Sequence, residues 1–373
     1  MPVTKSPQVQ GASSGGRPVG VAGRRSGEEG PATGPEPPGH RSKGARTTLR
    51  AAGLPLAALL LLAVLALSIG VGSRAMSLGE VWHGLLDPTS PNYAVVHRMR
   101  LPRTLLGLLV GTALGLAGGL MQALTRNPLA DPGLLGINAG ASAAVVTAAS
   151  LLGVATFDGY VWFALAGTAI VSVLVHAVGG GRGATPARLA LAGSALNATL
   201  YSYVSAVMLL DTSSLEKMRF WTVGSLADAR PETVVKVLPF IGAGLLLALA
   251  LARPLNVLAL GDDAARALGA RPELVRGAAI LAVTLLCGAA TAACGPIVFV
   301  GLMVPHLVRA LTGPDLRWLL PYCALLAPVL LLGSDVLGRL LGRPGELQVG
   351  VVTAVLGGPF FLYFARRGKV ARV

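Results

Sequence analysis

Uncharged apolar stretches recur along most of this 373-residue chain, each bounded by arginines, prolines or acids. Nine can be read directly: Ala51 to Ser73, Thr104 to Thr125, Pro132 to Phe157, Gly159 to Gly181, Leu189 to Leu210, Val237 to Ala252, Gly277 to Val308, Trp318 to Ser334 and Leu347 to Ala365. Runs of about 20 apolar residues are the mark of helices that cross a bilayer. The block from Gly277 to Val308 is too long for one crossing: its 32 residues would extend about 48 Å as a single helix, against a hydrocarbon core of about 30 Å. Gly295-Pro296 breaks it and leaves residues 297–312 as a short eighth helix. The pattern predicts an all-α polytopic membrane protein of ten transmembrane helices.

Composition agrees. Hydrophobic residues make up 53% of the chain and charged residues only 13%, with a mean hydropathy of +0.67, too little charge to coat a soluble surface. A soluble enzyme is excluded. Residues 1–50 are a different material, rich in Gly, Pro, Ser and Arg, which cannot bury enough surface to offset the entropy of ordering; they read as a disordered tail. The first apolar run, beginning at Ala51, lies too far in and runs too long for a cleavable signal, so it reads as a membrane anchor. The domain reading is therefore a tail over 1–50, a ten-helix membrane domain over 51–367 and a basic tail over 368–373.

Charge placement tests the helix count, because lysine and arginine concentrate on the cytoplasmic side. Ten helices with the N-terminus inside place 21 of the 31 basic residues on the inner side, whereas an unbroken seventh block would place 17 there and throw the basic C-terminal end outward. Both termini are thus expected in the cytoplasm, and the net charge of +14 is mostly this bias. It calls for no nucleic acid. The three cysteines, Cys287, Cys294 and Cys323, lie in apolar stretches without a C-x-x-C pair and read as small buried hydrophobes. No H-E-x-x-H metalloprotease pattern and no G-x-x-x-x-G-K-[ST] phosphate loop occurs, so no metal site is expected and this chain is not by itself a nucleotide motor.

Several short patterns carry possible chemistry. Arg74, Arg98, Arg100 and Arg103 crowd one external loop against the inward bias. Arginines at that depth can snorkel to headgroups, but three within six residues, fixed by Pro102 at a helix start, suit a docking surface for acidic groups. On the inner side, Arg126-Asn-Pro-Leu-Ala-Asp-Pro-Gly133 reads as a tight turn whose prolines end one helix and start the next. The larger inner loop, Arg253 to Arg276, reads as two short polar helices separated by Gly269, an exposed pair suited to a partner. Asp335 and Arg339, four apart on one helical face, can neutralise each other or line a pathway. His306, in Pro305-His-Leu-Val-Arg309, reads as a structural histidine rather than a metal ligand.

Taken in order, these pieces resemble the ten-helix permease subunits of binding-protein-dependent ABC importers for iron-siderophores, haem and cobalamin. The likeness covers about residues 54–367 and rests on Arg100-Leu-Pro-Arg103, Gln122 with Arg126-Asn-Pro-Leu-Ala-Asp-Pro-Gly-Leu-Leu-Gly136, and Ala259-Leu-Gly with Ala265-Arg-Ala-Leu-Gly269. Phe299 to Arg309, Asp315-Leu-Arg317, Asp335 with Arg339, Glu346-Leu, Gly350 to Ala354 and Gly357-Gly-Pro-Phe-Phe361 complete it. Gln348 stands where the family usually has proline, and Pro186-Ala187 where the cobalamin importer has small hydroxylated gate residues.

The resemblance implies a permease working in a bacterial cell membrane with a second copy or a paralogue, an extracytoplasmic binding (lipo)protein above and two ATPase subunits below. ATP is used by those partners, and this chain binds no cofactor. It implies that Arg100, Arg103 and Arg339 face outward to dock the binding protein. It also implies that Gly261, Asp262, Ala265, Arg266, Leu268 and Gly269 form the coupling element for the ATPase. Asn127, Pro128, Asp131, Pro132, Pro305, His306, Arg309 and Asp335 belong to the family motifs. The external segment Leu215 to Leu226 resembles ferric-siderophore members more than cobalamin ones; haem or cobalamin is the alternative cargo. A stand-alone secondary transporter would need coupling-ion sites near the midplane, and the one intramembrane acid, Asp335, has Arg339 beside it.

Overall fold

The structure, a computed structural model, describes residues 43–72, 76–154, 157–179, 186–211 and 221–366. Most of the N-terminal tail, Arg74, residues 215–220 of the external segment and the C-terminal tail lie outside the described residues. Contacts divide the chain into residues 1–46 and 47–373.

Among the described residues the fold is helical without strands. In chain order the helices are α1 (Lys43–Gly70), α2 (Leu78–Leu86), α3 (Leu101–Thr125), α4 (Ile137–Leu151), α5 (Phe157–Val178), α6 (Pro186–Leu210) and α7 (Pro231–Leu258). They continue with α8 (Asp262–Ala267), α9 (Pro272–Cys294), α10 (Val300–Thr312), α11 (Leu316–Leu341) and α12 (Val349–Arg366). A π-helical turn, Val96–Arg100, leads into α3.

Among the described residues six helical stretches are long and apolar enough to cross a membrane: Arg50–Gly70, Tyr93–Thr125, Gly159–Val178, Pro231–Ala250, Pro272–Cys294 and Leu316–Leu341. Ile137–Leu151, Val300–Thr312 and Val349–Tyr363 are shorter apolar helices. α6 is more polar, and its Ser194, Thr199 and Ser202 hydroxyls donate back to the carbonyls of Leu191, Ala195 and Ala198, as hydroxyls do where water is scarce.

The sequence of α3 makes it the centre. It packs against α7, α9, α10 and α11, and Leu106, Val110, Leu116, Leu120 and Met121 are almost wholly buried. Gly107, Gly111 and Gly115 recur every fourth residue, the small-residue spacing that lets membrane helices approach closely. A Cβ on Gly111 would stand 2.5 Å from the Pro328 Cα of α11, and one on Gly118 would collide with the carbonyl oxygen of Gly301 in α10. By contrast, α1 turns Leu56, Leu59 and Leu62 outward, as a lipid-facing helix does.

The break at Gly295-Pro296 is present. α9 ends at Cys294, Gly295 takes a left-handed φ of 73°, and α10 starts only at Val300 after an extended segment. This shortens the eighth helix from the expected 297–312 to 13 residues, about 20 Å. The helix ends on either side of the break are held from inside the protein: the Cys294 carbonyl at the end of α9 accepts the Ser225 amide at 2.8 Å, and the Leu302 carbonyl in the first turn of α10 accepts Gln122 Nε2 at 3.1 Å. Polar backbone at membrane depth requires such partners.

The inner loop departs from expectation. Arg253 lies within α7, and Pro272 to Arg276 is the opening of α9 rather than a second loop helix. Pro272 at the first helical position starts a long helix as readily as a short one; the apolar run that follows carries it on. Only α8, six residues, stands free as a loop helix.

Candidate functional site

Two polar clusters lie at opposite ends of α3. At its N-terminal end the last turn of α1 leaves carbonyls without helical partners, and arginines supply the donors. Arg100 Nη1 donates to Ile69 and Gly70 at 2.9 and 2.8 Å. Arg339 Nη1 donates to Ser68 and Val71 at 3.0 and 2.6 Å, and Arg343 Nη2 to Gly72 at 2.9 Å. Cations at a helix C-terminus also face the negative end of its dipole.

Behind this cap sits a fully buried carboxylate, Asp335. Arg339 Nη2 approaches it at 2.9 Å from one turn along α11, and Arg103 from α3 grips it with Nη2 at 2.7 Å and Nε at 3.0 Å. Arg103 Nη1 also reaches Glu346, just before α12, at 2.6 Å. The Ser68 and Thr104 hydroxyls share a bond at 2.9 Å. One network therefore ties α1, α3, α11 and the approach to α12. A cleft of about 280 Å³ opens beside it, lined by Gly72, Val95, Met99, Arg100, Arg103, Ala227, Arg339 and Glu346.

These arginines are not the exposed set that the sequence suggested. Arg100, Arg103 and Arg339 are 5%, 9% and 2% exposed, because the α1 carbonyls and Asp335 engage their donors inside the protein. Arg98 alone of the described loop arginines is exposed. The expected Asp335–Arg339 pair forms, with Arg103 as a second partner that spacing within one helix could not reveal.

At the other end, Arg126 terminates α3 in a left-handed conformation, φ 50°. The following turn is built by its own side chains. Asn127 Oδ1 accepts the Leu129 amide at 3.0 Å, Asp131 Oδ1 accepts the Gly133 amide at 2.7 Å, and Asn197 of α6 donates to the Gly133 carbonyl at 2.9 Å. Pro128 and Pro132 are buried between these bonds. Arg309 of α10 is buried and donates to Gln122 at 3.3 Å, Pro305 is buried inside α10, and His306 meets the Phe360 ring edge-on at 6.1 Å. These motif residues shape the ends of helices. They do not converge on one centre.

The inner loop presents α8. Gly261 and Gly269 flank it with φ of 108° and 81°, values that L side chains rarely adopt. Ala265 is fully buried, whereas Leu260 and Leu268 are 67% and 66% exposed. Arg266 pairs with Asp263 at 3.4 Å and with Glu273 at 3.2 Å. Asp262 accepts Arg276 Nη2 at 2.8 and 2.9 Å and Arg126 Nη2 at 3.3 Å. Burial works to raise the Asp262 pKa, but the hydrogen bond and charge of Arg276, with Arg126 and Arg266 behind them, hold it below its ordinary value. Next to this loop, Asp315 caps α11 and binds Asn256 of α7 at 2.6 Å and Arg317 at 2.7 Å. Sequence reading missed Arg126, Arg276 and Asn256 as partners; their only signal was polarity at the ends of apolar runs.

Among the described residues no group of three or more His, Cys, Asp or Glu side chains could hold a metal ion. The three cysteines are buried and free.

Residues 60–367 match the model of the FecCD transport family. The chain belongs to this family. It is 46% identical over 329 residues to the ferric enterobactin transport system permease protein FepD of Escherichia coli, covering 87% of this chain and 98% of that protein. It is 40% identical to the Fe(3+)-citrate import system permease protein YfmD of Bacillus subtilis, covering 82% and 91%, and 39% identical to the hemin transport system permease protein HmuU of Yersinia pestis, covering 84% and 95%. A solved structure described as an inward-facing conformation of a metal-chelate type ABC transporter superposes with a TM-score of 0.76 at 28% identity, over 85% of this chain and 99% of that one. FecCD members are membrane permeases, which accords with the apolar helices described above.

Proposed function

We propose that this chain is the permease of a binding-protein-dependent ABC importer for ferric siderophores, seated in a bacterial cell membrane. The observation that carries the reading is the near full-length identity to the ferric enterobactin permease. Ten helices cross the bilayer with both termini in the cytoplasm: the six long apolar helices, the three shorter ones and α6. Residues 1–50 and 368–373 are cytoplasmic tails around the membrane domain. A second copy or a paralogue completes the pathway, ATP is hydrolysed by partner subunits, and the permease makes and breaks no covalent bond.

In this reading α8, with Gly261, Asp262, Ala265, Arg266, Leu268 and Gly269, fits the ATPase. Its exposed Leu260 and Leu268 beside a charged turn support that role. The binding protein docks over the outer cleft. That cleft is lined by Arg100, Arg103 and Arg339 beside Glu346, a mostly basic lining suited to an acidic side chain.

The test is uptake of 55Fe-labelled enterobactin, 55Fe-citrate and haemin into cells that lack their own iron-chelate permeases and carry this chain with its partner genes. Uptake of the enterobactin complex, abolished when the ATPase gene is removed, is the expected result. Uptake of haemin alone would favour the reading suggested by the 39% identity to the hemin permease, and uptake that survives loss of the ATPase would make the protein a secondary transporter.

A further inference from the structure

Arg126 makes an unusual junction. It is one of two non-glycine residues with positive φ among those described, a conformation that disfavours most L residues and points to a local demand. The demand is visible: Arg126 Nη2 donates at 2.7 Å to the carbonyl of Leu258, the last residue of α7, and stands 3.3 Å from Asp262 at the start of α8. From the far side Arg276, in the second turn of α9, gives Asp262 two contacts at 2.8 and 2.9 Å. One carboxylate thus joins α8 to α3 and α9, and Arg126 ties in the end of α7.

We infer that Arg126 and Arg276 are positioning residues of the transmission machinery, holding α8 through Asp262 so that its displacement by the ATPase is delivered to α3 and α9 together. This rests on the function proposed above. The pairs are half-exposed, with Arg126, Asp262 and Arg276 side chains 41%, 31% and 24% accessible, and pairs of that kind shift an equilibrium by no more than about fivefold each. They are therefore weak as struts but specific in direction, since a guanidinium fork fixes its partner in space. α3 and α9 pack directly against each other. α3 then carries the motion some 37 Å over its 25 residues to the outer network that Arg103 joins.

Two measurements test this. Hydrogen–deuterium exchange of the amides of residues 262–270 in the purified full-length permease should quicken roughly five- to tenfold in Asp262→Asn and in the double variant Arg126→Gln with Arg276→Gln. Arg276→Lys should restore most of the protection lost in Arg276→Gln. In proteoliposomes of permease and ATPase supplied with binding protein and ferric enterobactin, the double variant Arg126→Gln with Arg276→Gln should carry several-fold less chelate per ATP hydrolysed than the unmodified complex. Unchanged exchange in Asp262→Asn overturns the clip, and quickened exchange with an unchanged transport-to-ATP ratio overturns its part in transmission. If the unmodified complex moves no ferric enterobactin, the proposed function falls, while the exchange result still decides whether the arginines hold α8.

Discussion

The two ends of α3 carry the same ingredients, an arginine of the helix terminus gripping a carboxylate of a neighbouring element, in opposite surroundings. At the outer end Asp335 is fully buried between Arg103 and Arg339. At the inner end Asp262 lies half in solvent between Arg126 and Arg276. Burial decides what each network can do. A buried pair leaves a desolvated charge behind if one partner is lost, whereas a half-exposed pair is easily exchanged for water. The outer network fixes α1, α3 and α11 to one another, and the inner one holds a small helix by weaker pairs that water can replace.

The largest effect should follow from breaking the outer network from the inside. Asp335→Ala removes the carboxylate shared by two buried guanidiniums, leaving Arg103 to Glu346 and Arg339 to carbonyls and the Ser68 hydroxyl, and the expected loss is about 3–5 kcal/mol. Thermal denaturation of the purified permease checks it. A loss below about 1 kcal/mol would mean that water reaches the site and that the two ends of α3 are alike after all.

Much of this comparison was legible in the sequence, but unevenly. Apolar block length gave the helices, and Gly295-Pro296 gave the break between α9 and α10. Asp335 and Arg339 could be paired by their spacing alone. Arg103 could not, because it lies 232 residues from Asp335 and nothing local announces that α3 and α11 pack there. The same limit turned an expected row of exposed arginines into a buried cap: sequence shows that cations crowd a helix start, not that α1 ends beside them with carbonyls to satisfy. In the inner loop Pro272 marked a helix start correctly, yet its length was settled by the apolar residues beyond Arg276.

A second expected effect concerns acid at the inner end. The hydrogen bonds from Arg317 come first in holding Asp315 down to a pKa of about 2, joined by the Arg317 backbone amide and Asn256. A carboxylate depressed by folding contributes stability that is present above its unfolded pKa, about 3.9, and lost as pH falls through the folded value. The Asp315 contribution, held to about 1 kcal/mol or less because its partner Arg317 is largely in solvent, should therefore be full at pH 7 and fade between about pH 4 and pH 2. Asp315→Asn should destabilise at pH 7 and differ progressively less from the unmodified protein over that window. A gap that stays constant down to pH 2 would show that α11 is capped without the charge.

A smaller effect, still expected to be total for transport, attaches to Gly269. Its φ of 81° suits glycine, and no neighbouring atom lies within 4 Å of where a Cβ would stand. Gly269→Leu should therefore cost the permease only about 1–2 kcal/mol of local strain while placing a bulky side chain on the surface proposed to meet the ATPase. Membrane insertion should be normal and uptake abolished. Uptake at the unmodified rate would remove this loop from the coupling path.

The smallest shift should appear where the outer network meets the cleft. Glu346 is the partly exposed member, with its side chain 28% accessible, and it offsets one of the three arginines beside the opening. If the binding protein docks there through acidic groups, Glu346→Gln should tighten its affinity for the permease–ATPase complex a few-fold, by less than about 1 kcal/mol. That gain should shrink as salt rises, since the screening length falls from about 10 Å at 0.1 M to about 3 Å at 1 M. Arg100→Ala should move affinity the other way, although part of its cost falls on the end of α1 that it caps. Opposite signs for the two variants at low salt, converging at high salt, are what an electrostatic docking cleft requires. Equal affinities at both salt concentrations would make the outer arginines purely internal, with the binding protein seated elsewhere on the outer face.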